Sequence, residues 1–134
     1  MFLVAHRPTL VDLSKTTRLK GVSFRVDYLR HVDWITMELQ SLTPKHHDLQ
    51  QISIELPYNM TFAVSGANIV QKIGGETYGQ WLDLDRILVR FWESHSIRPV
   101  MKYPRPKPMQ SMRVCIESLL PEATRRGIME MVEW

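Results

Sequence analysis

The sequence predicts an α/β fold: a short solenoid fragment with a curved, mostly parallel sheet, helices on one side and a C-terminal helical cap. Three observations predict it. An alternating strand pattern at 19–26 recurs at 49–56. A helical stripe separates the two copies. The tail, 109–134, is helical in pattern after a proline-rich connector.

The first copy, Leu19-Lys20-Gly21-Val22-Ser23-Phe24-Arg25-Val26, places apolar residues at 22, 24 and 26, with Leu19 three positions ahead. The second, Leu49-Gln50-Gln51-Ile52-Ser53-Ile54-Glu55-Leu56, repeats this with 52, 54 and 56 behind Leu49. Strict alternation over this length marks a half-buried strand. A spacing of about 30 residues lies in the range of solenoid repeats.

Between the copies, Val32, Ile35, Leu39 and Leu42 recur at helical spacing within 29–42. Asp33 or Asp27 suits the start of that helix, and Thr43-Pro44 ends it. Two strands joined through a helix favour parallel pairing with a right-handed crossover. Residues 57–67 read as a loop or a short third strand, and Ile69 to Ile73 as one helical turn ended by Gly74-Gly75. Thr77 to His95 then carries Tyr78, Trp81, Leu82, Asp85, Leu88, Phe91 and Trp92 on one side, which predicts the principal core helix. Ile97 to Tyr103 reads as a strand. Its Pro99 cannot donate to a ladder, so it points to a sheet edge or a strand start.

Pro104, Pro106 and Pro108 make the connector stiff and extended. Beyond it Pro121 suits a first helical turn, and Gly127 breaks or caps the segment. Ala123, Ile128, Met131 and Val132 give the tail an apolar side. The chain is thus expected to be one domain, 1–134, with strand–helix repeats in 1–108 and a helical cap in 109–134. The first strand, near Val22 to Val26, is expected either to lie exposed at its edge or to be covered by residues 1–13. An α+β sandwich with a mixed sheet is the alternative architecture.

Composition bounds the function. A domain of 134 residues buries roughly two-thirds of its unfolded surface, enough for a real core. The charge of +3 comes from 17 Lys and Arg against 14 Asp and Glu, interleaved rather than gathered into one basic stripe. Cys115 is the single cysteine, so no intrachain disulfide is available, which fits a reducing compartment. No run approaches the ~18 apolar residues of a membrane span, and residues 1–8 do not read as a signal peptide. A cytoplasmic or nuclear setting follows by elimination.

The motif Leu-x-x-apolar-x-apolar at Leu19 and Leu49 resembles a leucine-rich repeat, without the expected Asn or Cys positions. Residues 81–92 (WLDLDRILVRFW), 94–99 (SHSIRP) and 119–128 (LLPEATRRGI) resemble the C-terminal part of fungal F-box-like proteins with leucine-rich-repeat-like regions. The likeness is strongest over 77–134. It implies a protein–protein interaction or scaffold module, as in the substrate-recognition part of such proteins. The F-box itself has no counterpart here, so coupling to a ubiquitin-ligase scaffold does not carry over.

No catalytic, metal or cofactor site is expected. His46-His47 are adjacent and point apart, unlike the spaced ligands of zinc sites. Asp83, Asp85, His95, Ser94 and Ser96 supply the residue types of a nucleophilic triad, yet Asp83 and His95 lie about 18 Å apart along a helix. Arg86 and Arg90 are the simpler partners for those acids. Gly74-Gly75 lacks a phosphate-binding pattern. The one basic cluster, Arg98, Lys102, Tyr103, Arg105 and Lys107, is the candidate interaction strip. A nucleic-acid-binding domain using 98–107 is the alternative function, and charged protection of a sheet edge is the bland account. The expected partner is a protein, or a second copy of the chain across the N-terminal edge.

Overall fold

Alternating apolar residues and helical stripes assemble here into nine elements among the described residues. The computed structural model describes residues 2–5, 18–26, 32–42, 48–56, 74–103 and 109–133. In chain order they are β1 (Phe2–Ala5), β2 (Gly21–Arg25), α1 (Asp33–Gln40), β3 (Gln51–Glu55), α2 (Gly75–His95), β4 (Pro99–Tyr103), α3 (Met109–Leu119), α4 (Pro121–Arg125) and β5 (Glu130–Glu133).

The five strands form one sheet in the order β1-β2-β3-β4-β5, and every pair is parallel. Gly21 pairs with Gln51, Val22 with Ile52 and Phe24 with Ile54, so β2 and β3 meet with a constant offset of 30 residues. That is the repeat seen in the sequence. The pairing runs past the strand ends, where Gln50 N–H donates to Lys20 O at 2.7 Å and Val26 N–H to Glu55 O at 2.9 Å. Pro99 opens β4 opposite Ile52. As a strand's first residue it is tolerated within the sheet, between β3 and β5.

One side of the sheet carries the core. Val22, Phe24, Val26, Ile52, Ile54, Leu56 and Met101 belong to a single buried cluster. Helices α1 (Ile35, Leu39), α2 (Trp81, Leu84, Leu88), α3 (Ile116, Leu119) and α4 (Ala123) all contribute to that same cluster. These four described helices therefore pack on one face. Phe24 meets Trp34 edge-on at 5.8 Å between ring centroids. Phe24 and Trp81 are completely buried, and an aromatic side chain hiding 150–250 Å² contributes on the order of 4–6 kcal/mol before entropy is counted.

Local chemistry fixes the helix ends. Asp33 places a negative charge in the first turn of α1, and Gln80 on α2 accepts the N–H of Val32 at 3.1 Å. α2 begins after Gly74, whose φ of 87° suits only glycine comfortably. It ends at Ser96, left-handed at φ 57°, whose N–H donates to Trp92 O at 2.9 Å. Pro121 opens α4, and Gly127 follows it with φ 64°.

The structure revises several expectations. All pairings among the five described strands are parallel, which is not the mixed sheet of the sandwich alternative. The tail is not entirely helical: Glu130–Glu133 is a strand. The left-handed turn at Gly127 stops the helix, so Met131 and Val132, taken as one helical side, alternate across β5 instead. Of the two outcomes expected for β2, the covered one holds, because residues 2–5 pair along it as β1. The helix expected over 29–42 spans 33–40, and the strand expected over 97–103 spans 99–103. The segment 57–73, the connector 104–108 and His46-His47 lie outside the described residues.

Candidate interaction surface

Strand alternation gives the sheet a second face, pointing away from the described helices. The register runs across it in two rows. Val4, Ser23, Ser53, Val100 and Glu130 make the first. Arg25, Glu55, Lys102 and Val132 make the second.

The centre of this face is polar and tied together. Glu55 is 6% exposed. It accepts a hydrogen bond from Ser23 Oγ at 3.1 Å and pairs with Arg25 Nε at 2.9 Å. Lys102 stands opposite Glu55 on the other flank, so the carboxylate lies between two cationic positions. A buried carboxylate needs such partners, because stripping its water is otherwise costly. Towards the sheet's outer strands Val4 is 51% exposed and Val132 37%. Both belong to this face; with Met37, on α1, they are the large apolar side chains left exposed among the described residues.

The strip anticipated from the sequence is distributed differently. Tyr103 is buried in the core and Lys102 points to the opposite face, since neighbours on a strand alternate. Arg98 is exposed, yet its guanidinium donates to Ile128 O at 3.2 Å and Gly127 O at 3.4 Å, fastening the turn into β5. Arg105 and Lys107 lie outside the described residues. Lys102 alone of the described members belongs to the face opposite the described helices. Arg25, Glu55, Val4 and Val132 were not anticipated. The signal for the first two was present: polar residues recur at matching places in the two repeats, Ser23 with Ser53 and Arg25 with Glu55.

The residue types of a triad are likewise separated. Asp83 pairs with Arg86 at 2.9 Å on the surface of α2. Asp85 is buried and accepts the N–H groups of Glu122 and Ala123, both at 2.9 Å. Burial is the chief influence on its carboxyl and raises its pKa, ahead of those two N–H donors, which lower it. Ser94, His95 and Ser96 lie a further nine or more residues along, at the other end of the helix. Burial also pushes the Cys115 thiol up to about 12, so it is a core side chain and not a thiolate nucleophile. Among the described residues no three His, Cys, Asp or Glu side chains are grouped to hold a metal. No helix among them is long and apolar enough to cross a membrane.

A groove opens at the C-terminal ends of α1 and α2, with a cavity of about 220 Å³. Leu39, Leu42, Leu49, Ile87, Phe91 and Ile97 form its apolar walls.

Comparison with known protein families, characterised proteins and solved structures finds no match to this chain.

Proposed function

We propose that the chain is a protein-recognition module: a short, leucine-rich-repeat-like solenoid fragment that meets its partner with the face of the sheet opposite the described helices. The observation that carries this reading is the sequential, parallel order of the described strands, with the four described helices packed on the other side. A stack of that kind lines up a ladder of side chains from successive strands, the surface solenoids use for binding. In this chain its middle row, Ser23, Ser53 and Val100, is buried, so the exposed part lies around it. Here the ladder offers apolar Val4 and Val132 at its margins and cationic Arg25 and Lys102 between them. Such a mixture of apolar and charged side chains suits a protein surface.

The reading is in keeping with the resemblance to the substrate-recognition part of F-box-like proteins, and it assigns no catalytic role. The setting proposed with it is cytoplasmic or nuclear. The nucleic-acid alternative has less support, because Tyr103 is unavailable for base stacking and Arg98 is committed to backbone carbonyls. A second copy of the chain, if it is the partner, would add at β1, at the end of the strand order.

The experiment is affinity capture from cell extract with the full chain, with a Lys102→Glu/Val132→Asp double variant, and with Met37→Asp as a helix-side control. Proteins retained by the parent chain and Met37→Asp but lost from the double variant support the proposal. Identical retention by all three refutes it. Retention abolished by nuclease treatment transfers the function to nucleic acid.

A further inference from the structure

We infer that the groove between the C-terminal ends of α1 and α2 is a binding site for a small apolar monocarboxylate, one aromatic ring or a short aliphatic chain ending in a carboxylate that meets Arg90. The inference is independent of the sheet-face reading, because the groove lies on the helix side of the molecule.

Size comes first. The groove's volume is about 220 Å³. An apolar cavity of about 150 Å³ lined by Leu, Ile and Phe holds benzene, whereas drug-sized ligands occupy clefts of about 300–1,000 Å³. The groove therefore admits one ring with a short tail and excludes a nucleotide-sized cofactor.

Charge comes second. Among the described residues the rim consists of Gln40, Arg90, Ser94 and His95, and none of those lining the groove is a carboxylate. The other arginines of this region are occupied: Arg86 by Asp83, Arg98 by the carbonyls of residues 127 and 128, Arg125 by Glu122, and Arg126 by Glu93 and Glu122. Arg90 is exposed and has no hydrogen bond or ion pair. Two helix ends lie nearby, and their carbonyls carry partial negative charge that favours a cation. That field fades within the last turn and amounts to about half a unit charge per helix. His95 occupies the last turn of α2, its ring 5.7 Å from Phe91, whereas Arg90 lies more than a turn further back. A full guanidinium charge there remains uncancelled, beside apolar walls, and a guanidinium binds carboxylate with paired N–H donors.

The test is a two-dimensional 1H–15N NMR titration of the full chain at pH 7 with three probes sharing one body: 4-phenylbutyrate, 4-phenylbutanol and 4-phenylbutylamine. We expect 4-phenylbutyrate to shift the amides of Leu42, Phe91 and Ile97, and to bind at least about tenfold more tightly than the amine or the alcohol. Arg90→Glu should weaken the acid about tenfold while leaving the spectrum otherwise folded, since Arg90 is exposed and makes no hydrogen bond or ion pair with the described residues. Leu49→Trp, which fills the groove and retains Arg90, should remove binding. Equal affinity for the three probes, shifts confined to another surface, or an unchanged affinity in Arg90→Glu would each overturn the inference. So would groove shifts that depend on protein concentration alone, which would make a second copy the occupant.

Discussion

Asp85 and Ala123 stand on different helices, and the carboxylate of the first accepts the backbone N–H of the second at 2.9 Å. Its other oxygen accepts the N–H of Glu122 at the same distance. Leu120, the residue at the capping position of α4, offers no side-chain hydrogen bond, so α2 supplies the cap. Losing it leaves two N–H groups unpaired, one of them buried. Asp85→Ala should cost about 2–3 kcal/mol in urea unfolding. Asp85→Asn keeps one accepting oxygen and should cost less.

That carboxyl also has a pH signature. Its pKa is raised above 3.8 by burial, so the folded protein binds this proton more readily than the unfolded chain. Its contribution to stability is therefore fullest below pH 3.8 and declines as pH rises through the folded value. The stability difference between the parent protein and Asp85→Asn should accordingly favour the parent more at pH 3 than at pH 7. An opposite trend in paired denaturation curves would contradict the assignment of burial as the dominant influence.

Glu122 behaves in the reverse sense. Hydrogen bonds from Arg125 and then Arg126 lower its pKa to about 2 from the usual 4.5. The stabilisation is present above pH 4.5 and lost as pH falls towards 2. Glu122→Gln should lower the melting temperature slightly at pH 7 in low salt, less in high salt, and not at all near pH 2.

Ser96 holds a left-handed backbone at φ 57° where α2 ends. For a residue with a Cβ that conformation costs about 1–2 kcal/mol, partly offset in glycine by its greater freedom when unfolded. Ser96→Gly should raise stability by about 0.5–1 kcal/mol, and Ser96→Val should lower it by more than that. Thermal unfolding of both variants provides the measurement.

Lys102 and Tyr103 are neighbours with opposite destinations. Tyr103→Ala removes a side chain that is 3% exposed and should cost about 3–5 kcal/mol, as truncations of buried aromatics do. Lys102→Ala should stay within about 0.5 kcal/mol, since it changes a partly exposed side chain away from the core. Comparable losses for the two would mean that the strand's facing is misassigned.

How legible this fold is depends on whether the deciding contact repeats. β2 and β3 are readable because the same alternation occurs twice and the two copies pair with each other. α2 is readable because Trp81, Leu88 and their neighbours keep helical spacing over 21 residues. β1 and β5 have four residues each, too few for periodicity to separate them from loop or helix. Asp85 shows the same limit within a site. Its spacing places it on the buried side of α2, but nearby arginines offer equally good local partners. Only the arrival of α4, 37 positions away, decides that it is a cap. Tyr103 and Lys102 look like one cluster in the chain because sequence proximity hides strand parity, whereas Ser23, Arg25 and Glu55 gather into one network despite wide separation.

The strand order has a dynamic consequence. Each ribbon is hydrogen-bonded only to those immediately before and after it in the chain, so no long-range strand exchange locks the termini to the middle. Opening should then advance inward from both margins, and amide hydrogens of β3 should outlast those of β1 and β5 in deuterated solvent. The molecule resembles a short zipper more than a closed ring, with its most durable teeth at the centre.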